Sequence, residues 1–242
     1  MSRLNSRQRD AVNTFISFTH SSEARAVQYL NAAKWNVEGA VDVYFSNPPP
    51  PEKTKFDENS IAKLFQNYSG GAENIEQDGI ERFFKELNVD MTDVVSFAVL
   101  WQFRAKSPNQ LTKQEFVDGF KRLQCSNLND LKSKIRGIKK DLEDENIFKE
   151  FYIYMFDFTK GNKKTLDLPV ALYLWETLLT NKFPHLKNWI AFIQEHHKKA
   201  INKDTWILLL DFSKINLNEY DADGAWPSLI DEFVEYVKQK KT

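Results

Sequence analysis

Apolar residues recur at three- and four-residue spacings in the first 46 positions, which is the period of one face of an α-helix. In the first segment these residues are Val12, Phe15, Ile16 and Phe18. Side chains that favour helix N-termini precede the three apolar segments at Asn5, Ser22 and Asn36. The pattern therefore predicts three short helices in this part of the chain.

The same helical spacing continues through the remainder of the sequence. It predicts ten further helices, near residues 57–68, 78–87, 92–105, 112–124, 127–143, 146–159, 167–181, 186–199, 203–215 and 226–240. No segment alternates apolar and polar residues for long enough to predict a strand. The expected fold class is therefore all-α.

Four consecutive prolines at positions 48–51 divide the chain. Proline lacks an N–H and fixes φ, so such a run cannot continue a helix and favours an extended spacer. We predict a three-helix domain over residues 1–46, a proline-rich linker over residues 47–55 and a larger helical domain over residues 56–242.

The composition limits the function. The 242 residues carry 33 Lys and Arg against 34 Asp and Glu, so the formal charge of −1 argues against nucleic acid as a partner. No uncharged stretch approaches the roughly twenty residues of a membrane span. One cysteine, Cys125, excludes a disulfide framework and a cysteine-based zinc site. We expect a soluble intracellular protein.

Three segments have partial likeness to calcium-binding loops, which need oxygen ligands at positions 1, 3, 5 and 12 and glycine at position 6. With Gly224 at position 6, position 1 is Glu219 and position 12 is Ile230, which cannot chelate. The residue at position 12 is Glu115 in an earlier segment and Lys85 in one centred on Gly79. The earlier segment has Arg104, Lys106 and Pro108 at positions 1, 3 and 5. We predict EF-hand-like helix pairs without metal, and a calcium-responsive sensor is the alternative.

Charge is unevenly distributed. Residues 204–235 contain eight acidic residues and one basic residue, Lys214, whereas the whole chain is close to neutral. The acidic residues are Asp204, Asp211, Glu219, Asp221, Asp223, Asp231, Glu232 and Glu235. Such a segment is either a surface for a basic protein partner or a solvated helix face.

Catalytic motifs are few. The sequence contains no G-x-x-x-x-G-K-[ST] phosphate loop and no G-x-S-x-G nucleophile motif. Cys125 is a candidate thioester-forming nucleophile, but it would need a nearby base or a helix N-terminus to become a thiolate. A small buried hydrophobe is the more common role of such a cysteine. A binding or scaffolding role is therefore favoured over an enzymatic one.

Two long C-terminal segments, residues 202–212 (NKDTWILLLDF) and 220–233 (YDADGAWPSLIDEF), closely resemble signatures of the defective-in-cullin-neddylation family. Residues 35–41 (WNVEGAV) resemble the third-helix entry of a ubiquitin-associated (UBA) domain. The resemblance implies an N-terminal UBA domain and a helical cullin-binding domain, also called PONY. It further implies a non-catalytic scaffold that holds a cullin and the neddylation conjugating enzyme together, without a cofactor, in the cytoplasm and nucleus.

The resemblance also implies site residues. A cullin C-terminal domain would bind at Asp204, Ala225 and Asp231, the first and last supplying carboxylates. An apolar pocket for the acetylated N-terminal methionine of the conjugating enzyme would be lined by Ile80, Val99, Leu100, Leu111, Phe158 and Leu178. Met91 and Ser96 stand where many members of the family have Pro and Val, and Leu111 replaces a common Phe.

The UBA resemblance implies ubiquitin as a further partner. Many such domains use a Met-Gly-aromatic loop after the first helix, where this sequence has Phe18-Thr19-His20. Phe18, Tyr44 and Phe45 are the candidate ubiquitin-binding residues, and packing in the core of the small domain is the alternative for each of them.

Overall fold

The computed structural model describes residues 4–19, 21–47 and 56–240. The chain separates into two compact units, Met1–Lys55 and Phe56–Thr242. The proline run at positions 48–51 lies outside the described residues. Among the helices that are described, none has the length and apolarity to cross a bilayer.

The small unit is a three-helix bundle, as the sequence predicts. It consists of α1 (Ser6–Thr19), α2 (Glu23–Ala32) and α3 (Val37–Ser46). The Ser22 side chain accepts a hydrogen bond from the backbone N–H of Arg25, and Asn36 accepts one from Gly39, so both caps form where expected. The buried core of this unit consists of Val12, Phe15, Ala26, Leu30 and Ala40.

The large unit contains the ten predicted helices, with ends displaced by at most three residues. They are α4 (Glu58–Ser69), α5 (Gln77–Glu86), α6 (Val94–Gln102), α7 (Lys113–Arg122), α8 (Leu128–Asp141), α9 (Glu145–Lys160), α10 (Leu168–Leu179), α11 (Leu186–His196), α12 (Lys203–Phe212) and α13 (Ser228–Lys240). A short 3₁₀ helix, Leu217–Glu219, lies between α12 and α13. The prediction of an all-α fold is confirmed.

The prediction that the chain has no strand is wrong in one place. β1 (Asn74–Glu76) pairs antiparallel with β2 (Gln110–Thr112), with Ile75 opposite Leu111. Three residues are too few to show a period-two pattern, and the two partners lie far apart in sequence. The pairing joins the helix–strand–helix segment α4–β1–α5 to the segment α6–β2–α7.

Residues at calcium-loop positions have structural roles here. Gly79 lies within α5, where an added Cβ would come 2.4 Å from the Tyr68 carbonyl oxygen, so glycine permits the close contact with α4. The Glu115 carboxylate accepts hydrogen bonds from the backbone N–H groups of Thr112 (2.9 Å) and Lys106 (3.1 Å). It therefore caps α7 and holds its own loop. No cluster of three or more His, Cys, Asp or Glu able to hold a metal occurs in the described ranges.

A group of stacked aromatic rings fixes α12 in the large unit. Trp206 stacks between Tyr152 (centroids 4.4 Å apart) and Trp175 (5.7 Å), and all three side chains are fully buried. The Trp206 indole N–H donates to the Tyr152 carbonyl at 2.9 Å, and Trp175 donates to the Tyr152 hydroxyl at 3.0 Å. Burial with satisfied donors makes this a rigid anchor for the first turn of α12.

Candidate functional site: an acidic surface on α12 and α13

The first turn of α12 presents Asp204 to solvent. The turn is fixed on one side by the buried Trp206 and on the other by Asn202, whose side chain accepts a 2.7 Å hydrogen bond from the Thr205 N–H. A carboxylate in the first turn of a helix is favourably placed relative to the helix dipole. Asp204 is thus both exposed and held on a rigid backbone.

The segment between α12 and α13 packs on Phe212, the last residue of α12. The rings of Tyr220 and Trp226 meet the Phe212 ring edge-on, with centroids 5.8 and 6.0 Å away, and they contact each other at 6.0 Å. This aromatic support holds the intervening Ala225, which is exposed. Its small side chain lets a partner approach the backbone closely.

Asp231 lies in the first turn of α13 and is half-buried. The Tyr220 hydroxyl donates a hydrogen bond to its Oδ1. Burial and the adjacent carboxylate raise the pKa of Tyr220 well above its ordinary value, so the hydroxyl remains a donor at neutral pH. The side chains at 204, 225 and 231 are all outside the hydrophobic core.

Ion pairs reduce the charge that the sequence assigns to this segment. Lys149 on α9 binds Asp211 at 2.8 Å, and Lys238 binds Glu235 at 2.9 Å. Lys214 is turned toward Glu145 on α9, at 2.6 Å. Six acidic side chains have no ion-pair partner in the described part of the chain: Asp204, Glu219, Asp221, Asp223, Asp231 and Glu232. We call these six, together with Ala225, the acidic surface.

The six residues predicted to line an apolar pocket are all buried. They are Ile80 on α5, Val99 and Leu100 on α6, Leu111 in β2, Phe158 on α9 and Leu178 on α10. Tyr154 stacks on Phe158 with centroids 5.1 Å apart, and its hydroxyl donates to the Ala105 carbonyl at 2.7 Å. All six side chains thus belong to the hydrophobic core, and a guest side chain would have to displace packed side chains.

The two departures from the family pattern in α6 and the turn before it contact each other. The buried Ser96 hydroxyl donates to the carbonyl of Met91 at 2.9 Å and to that of Asp93 at 2.8 Å. A valine at position 96 could not make these bonds. The sequence alone gave no indication that positions 91 and 96 are linked.

The three candidate ubiquitin-binding residues differ in their surroundings. Phe18 and Phe45 are 61% and 59% exposed, whereas Tyr44 packs on the rings of Phe15 (5.6 Å) and Tyr29 (5.3 Å). His20, in the loop singled out from sequence, lies outside the described residues. Val43, which no sequence motif indicated, is 56% exposed and lines a cleft of about 210 Å³ with Tyr29, Ala32 and Ala33.

Cys125 is unsuited to nucleophilic chemistry. Its side chain is 0% exposed, and burial raises the pKa of its thiol to about 11. The Sγ atom contacts the Leu123 carbonyl oxygen at 3.5 Å. The thiolate is the reactive form of cysteine, and it is scarce at neutral pH when the pKa is raised in this way.

These features define a class of helical protein with a small UBA-like bundle and a larger unit that carries an acidic surface. Comparison with known proteins agrees with that class. A family described as cullin binding matches residues 130–236, and one described as a UBA-like domain matches residues 9–51.

The chain is also similar to named proteins over most of its length. It is 30% identical to defective in cullin neddylation protein 1 of Caenorhabditis elegans, over 99% of this chain and 92% of that protein. It is 31% identical to DCN1-like protein 4 of Homo sapiens, over 88% of this chain and 74% of that protein. The chain therefore belongs to the defective-in-cullin-neddylation family.

Proposed function

We propose that this protein binds the C-terminal domain of a cullin and promotes its neddylation as a scaffold, in the cytoplasm and nucleus. The observation that carries the proposal is the acidic surface, whose unpaired carboxylates lie on α12, on α13 and on the segment between them that packs on Phe212. Relatives of this chain are named for cullin neddylation, and the family description that matches residues 130–236 is cullin binding.

The acidic surface suits a partner rich in Lys and Arg. Asp204 and Asp231 can each form a charge-assisted hydrogen bond with such a side chain. Ala225 lies between these two residues in the sequence and is exposed. Its small side chain leaves room for the backbone of the partner. Electrostatic complementarity of this kind gives specificity and speeds association.

The scaffold would act by proximity. Holding a cullin and the charged conjugating enzyme on one molecule makes their encounter effectively unimolecular, which raises the local concentration of the reacting groups. The thioester between the ubiquitin-like modifier and the cysteine of the conjugating enzyme would break as an isopeptide bond forms between the modifier and the acceptor lysine of the cullin, and the cysteine thiolate would leave. This chain then needs no nucleophile of its own, in agreement with the buried Cys125.

The cullin interface is tested by calorimetric titration of the full chain with a cullin C-terminal domain. We expect Asp231→Ala to weaken binding at least tenfold, the order of a lost charge-assisted contact, and Ala225→Arg to abolish it through steric and charge conflict. The matched control is Glu235→Gln on the same helix, because Glu235 is already paired with Lys238. Unchanged affinity in both Asp231→Ala and Ala225→Arg would remove the assignment.

The second part of the proposal is that the pocket around Ile80, Val99, Leu100, Leu111, Phe158 and Leu178 accepts the acetylated N-terminal methionine of the conjugating enzyme. Burying a free ammonium there would be costly, since no carboxylate is among these residues. We expect an acetylated N-terminal peptide to bind more tightly than the free-amine peptide. Equal affinities would contradict it. Leu178→Ala tests the pocket separately from the acidic surface. It should lower the affinity for the acetylated peptide and leave the affinity for the cullin unchanged.

A ubiquitin-binding role for the small unit is favoured by one observation. Of the four large hydrophobic side chains that are most exposed in the described residues, Phe18, Val43 and Phe45 belong to this unit. Exposed apolar side chains that form one contiguous patch are typical of an interaction site, and we propose that these three form such a patch. We expect ubiquitin to shift the NMR signals of these residues, and Phe45→Ala to reduce the shifts. A titration without shifts would exclude the role.

A further inference from the structure

We infer that Tyr220 is a positioning residue for the cullin interface: it orients the Asp231 carboxylate and supports the segment that presents Ala225. The inference rests on the proposed function of the acidic surface and assigns to it a residue that the sequence analysis quoted without a role. Tyr220 would act through Asp231 and need not itself contact the cullin.

The geometry places Tyr220 where both tasks meet. Its hydroxyl donates to Asp231 Oδ1 on α13, while its ring packs on Phe212 at the end of α12 and on Trp226. Trp226 follows Ala225 directly and also packs on Phe212. One side chain therefore ties α12, the loop and α13 together at the acidic surface.

The hydrogen bond leaves Asp231 able to bind a cation. A carboxylate has about four lone-pair sites. Tyr220 occupies Oδ1, and Oδ2 has no hydrogen-bond partner in the described part of the chain. A free aspartate side chain loses rotamer entropy when it pairs with a lysine, whereas one already held by Tyr220 has lost part of that freedom on folding. The bond therefore pre-organises the interface.

The chemistry of Tyr220 keeps the arrangement intact at physiological pH. Two other acidic side chains, Asp221 and Asp223, lie close by in the same loop, and Asp221 Oδ1 accepts a 3.0 Å hydrogen bond from the Asp223 N–H. An ionised Tyr220 would be repelled by Asp231 and could not donate to it. A tyrosine is already protonated at neutral pH, and burial, the hydrogen bond to Asp231 and the charges of Asp231 and Asp221 raise the pKa of Tyr220 further.

The test is a double-mutant cycle on the full chain with Tyr220→Phe, Asp231→Ala and the combination. Tyr220→Phe removes the hydroxyl and keeps the ring, so the variant should stay folded with a slightly lower thermal unfolding temperature. We expect it to weaken cullin binding about threefold to tenfold, because the Asp231 side chain must then be ordered on binding. Because net charge is unchanged, the loss should appear in the dissociation rate and leave the association rate and its salt dependence as in the wild type.

The cycle separates this inference from the proposed function. If Tyr220→Phe has no further effect in the Asp231→Ala background, the hydroxyl acts through Asp231 and the inference is supported. If Asp231→Ala weakens binding but Tyr220→Phe binds as the wild type does, the inference is overturned and the cullin interface stands. An equal loss in both backgrounds would also overturn it, because the effect would then not pass through Asp231.

Discussion

The two units expose different surfaces. The small unit buries only five hydrophobic residues among the described ones, and it leaves Phe18, Val43 and Phe45 more than half exposed. The large unit buries a far larger set, including Trp175, Trp189 and Trp206, and its unpaired acidic side chains lie on the surface. The small unit offers a partner apolar surface, and the large unit offers charge.

This difference follows from size. A bundle of three short helices has too little interior to enclose all its apolar side chains, so some remain at the surface and are available for binding. The large unit has enough interior to bury most of its apolar side chains. We therefore expect its binding surface to consist of polar groups held in place by the rigid core. We therefore expect the two units to differ in stability, in pH response and in the salt dependence of binding.

The largest expected effect is on stability. Phe15→Ala removes the central ring of the small core, and Phe116→Ala removes a ring that contacts Phe65, Phe83 and Phe120 in the large one. Each truncation should cost about 3–5 kcal/mol. A bundle of this size has a total stability of only a few kcal/mol, so Phe15→Ala should unfold the small unit, while Phe116→Ala lowers the melting temperature of a unit that still folds. Calorimetry of the full chain would measure both. A folded small unit in Phe15→Ala would contradict the size argument.

The next effect is a pH response of the large unit. Burial raises the pKa of Cys125 from 9.0 to about 11, so the unfolded chain ionises first and stability falls as pH rises from about 9 toward 11. The loss should be about 2 kcal/mol at pH 11. Tyr68 and Tyr154 also have raised pKa values through burial, and they add to the loss at higher pH.

Cys125→Ala isolates the thiol contribution. Denaturant unfolding of this variant at pH 7 and pH 10.5 should show a smaller loss of stability with pH than the wild type shows. The same variant should retain neddylation activity, because a scaffold needs no thioester of its own. A wild-type-like pH dependence in Cys125→Ala would show that the thiol ionises equally in the folded and unfolded chain.

The third effect is on binding. Raising ionic strength from 0.05 to 0.5 M shortens the Debye length from roughly 14 to 4 Å. We expect cullin binding by the acidic surface to weaken at least tenfold over this range, and ubiquitin binding by Phe18 and Phe45 to change less than twofold. Fluorescence titrations at four salt concentrations would give both slopes. Equal slopes for the two partners would break the distinction between apolar and charged recognition.

The sequence predicted the helices well because each apolar stripe is a local property. Ile61, Leu64 and Phe65, for example, have helical spacing in the sequence and lie in α4 in the structure. The β1–β2 pairing was missed because it depends on two three-residue segments meeting in space. The charge of the α12–α13 segment was overestimated for the same reason, since the partner of Asp211 is Lys149 on another helix.

The candidate site was predictable in part. A long motif resemblance pointed to Asp204, Ala225 and Asp231, and the structure places all three outside the core, but their cullin contact stays a prediction. The support of Asp231 by Tyr220 could not be read from spacing alone, because the loop conformation between them determines it. Val43 was missed because an apolar residue on a helix gives no sign of which face lacks a neighbour.

The smallest expected effect is the sharpest test of which charges matter. Asp204 and Asp211 lie two turns apart on nearly the same face of α12, but only Asp211 has an ion-pair partner, Lys149 at 2.8 Å. Asp204→Asn and Asp211→Asn remove the same charge from the same helix. We expect Asp204→Asn to weaken cullin binding severalfold and to lower the free energy of unfolding by less than about 1 kcal/mol, because the charge at the helix N-terminus is lost.

Asp211→Asn should leave cullin binding nearly unchanged. It breaks a half-exposed ion pair, so it should lower the free energy of unfolding by less than about 1 kcal/mol and leave cullin affinity within about twofold of the wild type. Paired titrations and denaturant unfolding of the two variants would measure both quantities. If both variants weakened binding equally, total charge would govern recognition, and the local pairing of each carboxylate would not. Since Lys149 already neutralises Asp211, the structure favours local pairing as the determinant.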